Sequence, residues 1–136
     1  MSVQPSKSIS NAELVVMECI WQHSQLDPKA LTSLLDGKVD WHENTIRTLL
    51  LRLLKKGYVR RESYGRAFRY RAATSRKEYV SQRIELCIDE LFEGSTTTFL
   101  ETVIDLATIT NSDISRLTGL LDKKRKLPLN AISSRL

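Results

Sequence analysis

Apolar residues recur at three- and four-residue steps in the first part of the chain, then at two, then again at three and four. Leu14, Met17, Ile20 and Trp21 mark the buried face of a first helix that runs to about His23. Ser10-Asn11-Ala12-Glu13, just ahead of it, has the form of a capping box: the Ser hydroxyl takes an orphan backbone N–H, and the Glu reaches back. Asp27-Pro28 reads as an N-cap followed by proline at the first helical position. The short helix it opens carries Ala30, Leu31, Leu34 and Leu35, and Gly37 ends it. In a third helix Ile46, Leu49, Leu50, Leu53 and Leu54 fall within about a 140° arc at ~3.6 residues per turn. The opposite arc holds Asn44, Thr45, Thr48, Arg52 and Lys55, and Gly57 supplies the stop. Its start has two readings, a capping box from Asp40 and Glu43, or His42 as a poor cap. Leu51 lies on the polar arc, where it either meets a ligand or packs under the hairpin that follows.

That hairpin is where the period falls to two. Residues 58–63 and 67–71 alternate or nearly so, around the turn Tyr64-Gly65-Arg66. From about Ser75 the pattern is helical again, with Tyr79, Ile84, Leu86, Cys87, Ile88, Leu91 and Phe92 before Gly94 interrupts. Thr98 to Leu106 holds Phe99, Leu100, Val103 and Ile104. Asn111 or Ser112 is placed to cap a last helix with Ile114, Leu117, Leu120 and Leu121. Residues 1–8 read as frayed, and the tail after Lys126 as loose. Three helices of some sixty residues have little to close upon by themselves, because a lone core below roughly 70 residues is marginal. Pairing with a second copy through Tyr79, Ile84, Cys87, Ile88, Leu91, Phe99, Leu100, Val103, Leu117 and Leu121 would bury their apolar faces. The expected fold is mainly α with a small β-hairpin wing: a winged helix-turn-helix domain over 1–73, then a helical dimerisation domain over 74–136.

Charge sharpens the picture. Nine basic residues stand between Arg47 and Arg71 against the single acid Glu62, so that segment is +8 within a chain of +5. Residues 73–136 are neutral. A surface meant only for solvation mixes its signs, so this run implies a polyanion partner for the first half. In a helix-turn-helix the second helix of the motif enters the major groove. Here that is the third helix, whose Asn44, Thr45, Thr48 and Arg52 are residue types that meet base edges. Lys55, Lys56, Arg60, Arg66 and Arg69 suit phosphates, which position the protein without reading sequence.

Other classes fare worse. There is no Gly-rich phosphate loop, no metal-ligand spacing and no local nucleophile grouping, so no enzyme and no cofactor are expected. Cys19 and Cys87 read as free thiols inside apolar segments. No run approaches the ~20 apolar residues of a membrane span and the start lacks a signal peptide, which places the protein in the cytoplasm. A winged helix that docks another protein is the alternative, and the aromatics Tyr58, Tyr64 and Tyr70 are what favours it. His42 reads as a solvent-exposed imidazole near phosphate rather than a pH gate, and His23 as part of a helix C-cap.

The stretches ISNAELVVMECIW (9–21), TIRTLLLRLLKKGYVRR (45–61) and GRAFRYRA (65–72) resemble the penicillinase repressor family of bacteria. That family includes the methicillin-resistance repressors and the copper-responsive CopY repressors. The resemblance implies a homodimeric winged-helix transcriptional repressor on a palindromic operator with TACA and TGTA half-sites, controlling genes of the β-lactam-resistance type and relieved by a signal the sequence does not name. It places base contacts at Asn44, Thr45, Thr48 and Arg52, with backbone contacts from Arg47 and the wing near Arg66. Copper-sensing relatives carry a C-terminal pair of Cys-x-Cys motifs, and no cysteine follows Cys87 here, so that metal site is excluded. β-Lactam-responsive relatives are cut at an Asn–Phe bond in the second C-terminal helix. The matching positions here are Thr102 and Val103, so either a sensor-linked protease partner has another bond specificity or induction is not proteolytic.

Overall fold

Ser10 opens α1 (Asn11–Gln22) with the expected reciprocal bonds: its hydroxyl accepts the Glu13 N–H at 3.1 Å, and the Glu13 carboxylate accepts the Ser10 N–H at 2.9 Å. The structure, a computed structural model, describes residues 8–126. What was expected of residues 1–7 and of the tail past Lys126 lies outside them. Asp27 caps α2 (Pro28–Leu35), accepting the Ala30 N–H at 2.7 Å, with Pro28 at the start as its ring favours. His23 caps the end of α1 through its backbone N–H, which donates to the carbonyls of Cys19 and Ile20.

Helix α3 (Glu43–Lys56) begins at His42, whose side chain makes no capping bond. Of the two starts open in the sequence, this is the one adopted. Gly57 takes φ +88°, a left-handed conformation that glycine adopts without a Cβ clash. The Gly57 N–H donates back to Leu54, and the Tyr58 N–H to the Leu53 carbonyl at 2.9 Å. This closure sends the chain directly from α3 into the hairpin.

The hairpin is β1 (Val59–Tyr64) and β2 (Ala67–Ala72), antiparallel, with Val59 opposite Ala72 and Tyr64 opposite Ala67. Gly65 and Arg66 form a two-residue loop, and Gly65 (φ +64°) holds its first position. Leu26, between α1 and α2, pairs with Tyr70 through N–H···O bonds of 3.0 and 2.8 Å, so the base of the hairpin is tied to the helices.

Four faces close the core. Val16, Met17 and Ile20 come from α1, Leu31 and Leu35 from α2, Ile46, Leu49, Leu50 and Leu53 from α3, and Tyr58, Val59 and Tyr70 from the hairpin. Three helices and a two-stranded wing around one core make a winged helix. Cys19 is buried in it as a free thiol, and burial pushes that thiol up.

The chain divides into two compact units between Glu85 and Leu86, inside α4 (Arg76–Leu91), later than the division after residue 73 expected from the sequence. Contacts of the start of α4 account for the difference. The Trp21 indole N–H donates to the Thr74 carbonyl at 2.8 Å, and Arg76 meets Glu18 at 3.2 Å. The Tyr79 ring lies 5.5 Å from that of Trp21 and 6.0 Å from that of Tyr58. Tyr79, assigned above to dimerisation, packs against the N-terminal core.

The second unit holds the rest of α4, then α5 (Thr96–Leu106) and α6 (Asn111–Arg125). Ser95 caps α5, and Thr110 caps α6 in a reciprocal box with Asp113, ahead of both expected caps, Asn111 and Ser112. Phe92 and Phe99 meet edge to face at 5.6 Å. No described residue of this unit is buried. Leu91 is 72% and Leu121 61% exposed, and Leu100, Val103 and Leu117 are also open. No helix among the described residues is long and apolar enough to cross a membrane.

Candidate nucleic-acid interface

The amphipathicity of α3 sorts its side chains cleanly. Ile46, Leu49, Leu50 and Leu53 are buried, and Asn44, Thr45, Arg47, Thr48, Arg52 and Lys55 are exposed. The Thr48 hydroxyl donates to the Asn44 carbonyl one turn back at 3.0 Å, so its proton is used and its oxygen faces outward as an acceptor. Arg47 reaches Glu43 through Nε and Nη2 at 3.0 and 2.7 Å, an i,i+4 pair on the helix surface. Leu51, on the polar arc, is half exposed.

One of the expected phosphate contacts is elsewhere. Lys56 turns inward: its ammonium lies 2.7 Å from Glu13 Oε1 and 3.1 Å from the Ser8 carbonyl. Glu13 is 2% exposed, so this cation neutralises a buried carboxylate. Burial alone would push the Glu13 carboxyl up. The Lys56 ammonium and the two bonds with Ser10 outweigh it and hold the group below the usual carboxylate range. Lys56, expected above to meet phosphate, here serves as a strut between α1 and α3.

The rest of the basic run lies on the wing. Arg66 is exposed in the hairpin loop and Arg60 on β1. Neither they nor Arg52 and Lys55 make an ion pair with any described residue. Arg71 pairs with Glu62 at 3.1 Å. Arg69 lies over the Tyr64 ring at 3.6 Å, and Arg61 over the Phe68 ring at 4.2 Å. Nothing in the sequence pattern distinguishes Arg61 or Phe68; their cross-strand positions follow only from the register. Glu43, by contrast, is legible as the partner of Arg47 from their four-residue spacing alone.

Two of the three tyrosines that favoured a protein-docking face are buried: Tyr58 at 5% and Tyr70 at 4% exposure. The surface left by α3 and the wing is cationic and hydrogen-bonding. It suits a polyanion whose edges carry donors and acceptors.

The remaining sequence-assigned residues lie on the C-terminal helices. Ile84, Cys87, Ile88 and Leu91 are on α4, Phe99, Leu100 and Val103 on α5, and Leu117 and Leu121 on α6, all exposed or half-buried. Thr102 and Val103 stand inside α5, where the Thr102 hydroxyl donates to the Thr98 carbonyl at 2.8 Å.

Comparison with known proteins gives a consistent picture. The penicillinase repressor family model matches residues 9–123. An uncharacterised 16.5 kDa protein in the ptsI 3′ region of Latilactobacillus sakei is 33% identical over 88% of this chain and 82% of its own length. The penicillinase repressor of Bacillus licheniformis is 27% identical over 86% of this chain and 91% of its own. Among solved structures, the DNA-binding domain of the repressor BlaI is 38% identical and covers 58% of this chain and 94% of that one, with a TM-score of 0.49.

Proposed function

The chain belongs to the penicillinase repressor family, and on that premise we propose that it is a DNA-binding transcriptional repressor that reads a palindromic operator as a homodimer. The helix α3 enters the major groove. Asn44, Thr45, Thr48 and Arg52 meet base edges there, with Arg52 able to address guanine O6 and N7 in a bidentate fashion. Arg47, Lys55, Arg60, Arg66 and Arg69 neutralise phosphates. Repression follows from occupancy of a promoter, so the chain needs no catalytic group.

The observation that carries this reading is the division of α3: one arc is locked in the core, and the other presents Arg52, which has no ion pair among the described residues, beside exposed Asn and Thr residues. Burial of the first arc fixes the rotation of the helix, so the outer residues are displayed in one orientation. Rigid display is what base reading requires, since each hydrogen bond must meet a fixed donor or acceptor.

A palindrome needs two such helices about one DNA turn apart, ~34–36 Å. The open apolar faces of α4, α5 and α6 support a second copy as the means. Ile84, Cys87, Ile88, Leu91, Phe99, Leu100, Val103, Leu117 and Leu121 are the residues assigned to that contact. The operator is of the TACA/TGTA type, and the controlled genes are of the β-lactam-resistance type, relieved by a signal that neither the sequence nor the fold names. Methylation interference on an inverted-repeat duplex tests the reading. Modified guanine N7 atoms in both half-sites should block binding. Binding indifferent to those modifications would contradict major-groove readout.

A further inference from the structure

The register puts the two arginine–aromatic pairs of the wing on opposite faces. Val59, Arg61 and Ser63 stand opposite Ala72, Tyr70 and Phe68, and these six share one face. Arg60, Glu62 and Tyr64 share the other with Arg71, Arg69 and Ala67. In both pairs the guanidinium and the ring are diagonal cross-strand neighbours, a separation that long and aromatic side chains span. Tyr64 is 60% and Phe68 43% exposed, so neither ring is mainly occupied in filling the core.

Stacking differs from ion pairing in what it leaves open. Arg71 and Arg47 direct N–H groups at carboxylates. A guanidinium lying over a ring uses its flat face, and its N–H donors remain in plane at the edge. The ring restricts the side chain's rotamers without neutralising its charge. An arginine held this way meets a phosphate with less ordering left to do.

We propose that Tyr64 and Phe68 are positioning residues that hold Arg69 and Arg61 ready for backbone phosphates on either side of the wing, which sits in a groove of the duplex. The proposal rests on the DNA-binding reading above. A groove is bordered by two phosphate strands and offers anions to both faces of an inserted hairpin. A wing lying flat along one strand would need cations on one face only. Arg61 thereby joins the DNA-contacting set.

Fluorescence anisotropy with an inverted-repeat duplex and a scrambled duplex, over a series of salt concentrations, provides the test. Tyr64→Leu and Phe68→Leu remove the π face and keep apolar bulk. Each should weaken binding about two- to fivefold on both duplexes alike, while the salt slope stays put because no charge is lost. Arg69→Gln and Arg61→Gln should weaken binding and lower the slope by about one each. The Tyr64→Leu effect should vanish in an Arg69→Gln background, and the Phe68→Leu effect in an Arg61→Gln background. Tyr64→Phe and Phe68→Tyr keep a ring and should bind as wild type. A purely structural role predicts that the Leu effects persist in the Gln backgrounds, and that result overturns the proposal. Coupling on one face only overturns the two-sided grip. Wild-type protein that binds neither duplex removes the DNA-binding reading and this proposal together. Wild-type binding with uncoupled variants removes this proposal alone.

Discussion

The Lys56 ammonium lies 2.7 Å from Glu13 Oε1 and joins the last residue of α3 to the first turn of α1 across 43 positions of sequence. A cation from the middle of the basic run thus serves the fold. Removing it strands a carboxylate that is 2% exposed. Lys56→Met should lower unfolding stability by roughly 3 kcal/mol, the low end for breaking a buried pair because Lys56 itself is partly solvated. Urea denaturation measures it. The affinity of the folded protein for DNA should stay within about twofold of wild type, the reverse of what a phosphate contact would show.

Acid should reveal the same pair. The folded-state Glu13 pKa lies below its ordinary, unfolded value. Between the two values the unfolded chain binds more protons, so stability rises with pH through that window. The contribution is therefore complete above the unfolded value and fades as pH falls through the folded one. Urea midpoints from pH 6 downward should show this loss in wild type, and Glu13→Gln should remove that part of the slope. An identical acid profile for the two proteins would mean that the pair contributes nothing.

Base readers and phosphate contacts should separate on α3. Arg52→Ala should cost about 1–3 kcal/mol on a matched operator and far less on scrambled DNA. Lys55→Ala should weaken both duplexes evenly and reduce the salt slope by about one. Competition titrations with the two duplexes distinguish these patterns.

The second unit makes a separate prediction. Leu121→Asp places a charge on an exposed apolar position of α6. It should convert a dimer to a monomer in sedimentation while leaving helical circular dichroism largely unchanged. Operator affinity should fall by well over tenfold, since two half-sites are then bound independently. A wild-type chain that sediments as a monomer at every concentration would refute the dimer.

What could be read in advance was local. The α1 capping box, the Asp27-Pro28 start, the α3 stripe and the glycine turns all lie within a few residues of their consequences. The start of α3 carried no such signal, because His42 makes no side-chain cap. At α6 the box is Thr110 with Asp113, and the usual box ends in Glu or Gln. The Glu13–Lys56 pair and the docking of Tyr79 on Trp21 and Tyr58 join residues far apart in sequence, where periodicity says nothing of partners. For the interface, composition located the basic run. Only the fold distinguishes cations that are paired (Lys56, Arg47, Arg71), stacked (Arg61, Arg69) or open (Arg52, Lys55, Arg60, Arg66).

The central claim is that α3 reads sequence. The most direct measurement titrates the protein into a fluorescent duplex carrying a TACA–TGTA inverted repeat, and into a scrambled duplex, at two salt concentrations. The matched site should win by a factor on the order of a thousand, with both affinities falling steeply as salt rises. Equal, salt-sensitive binding to both would reduce the surface to a basic patch and contradict the claim.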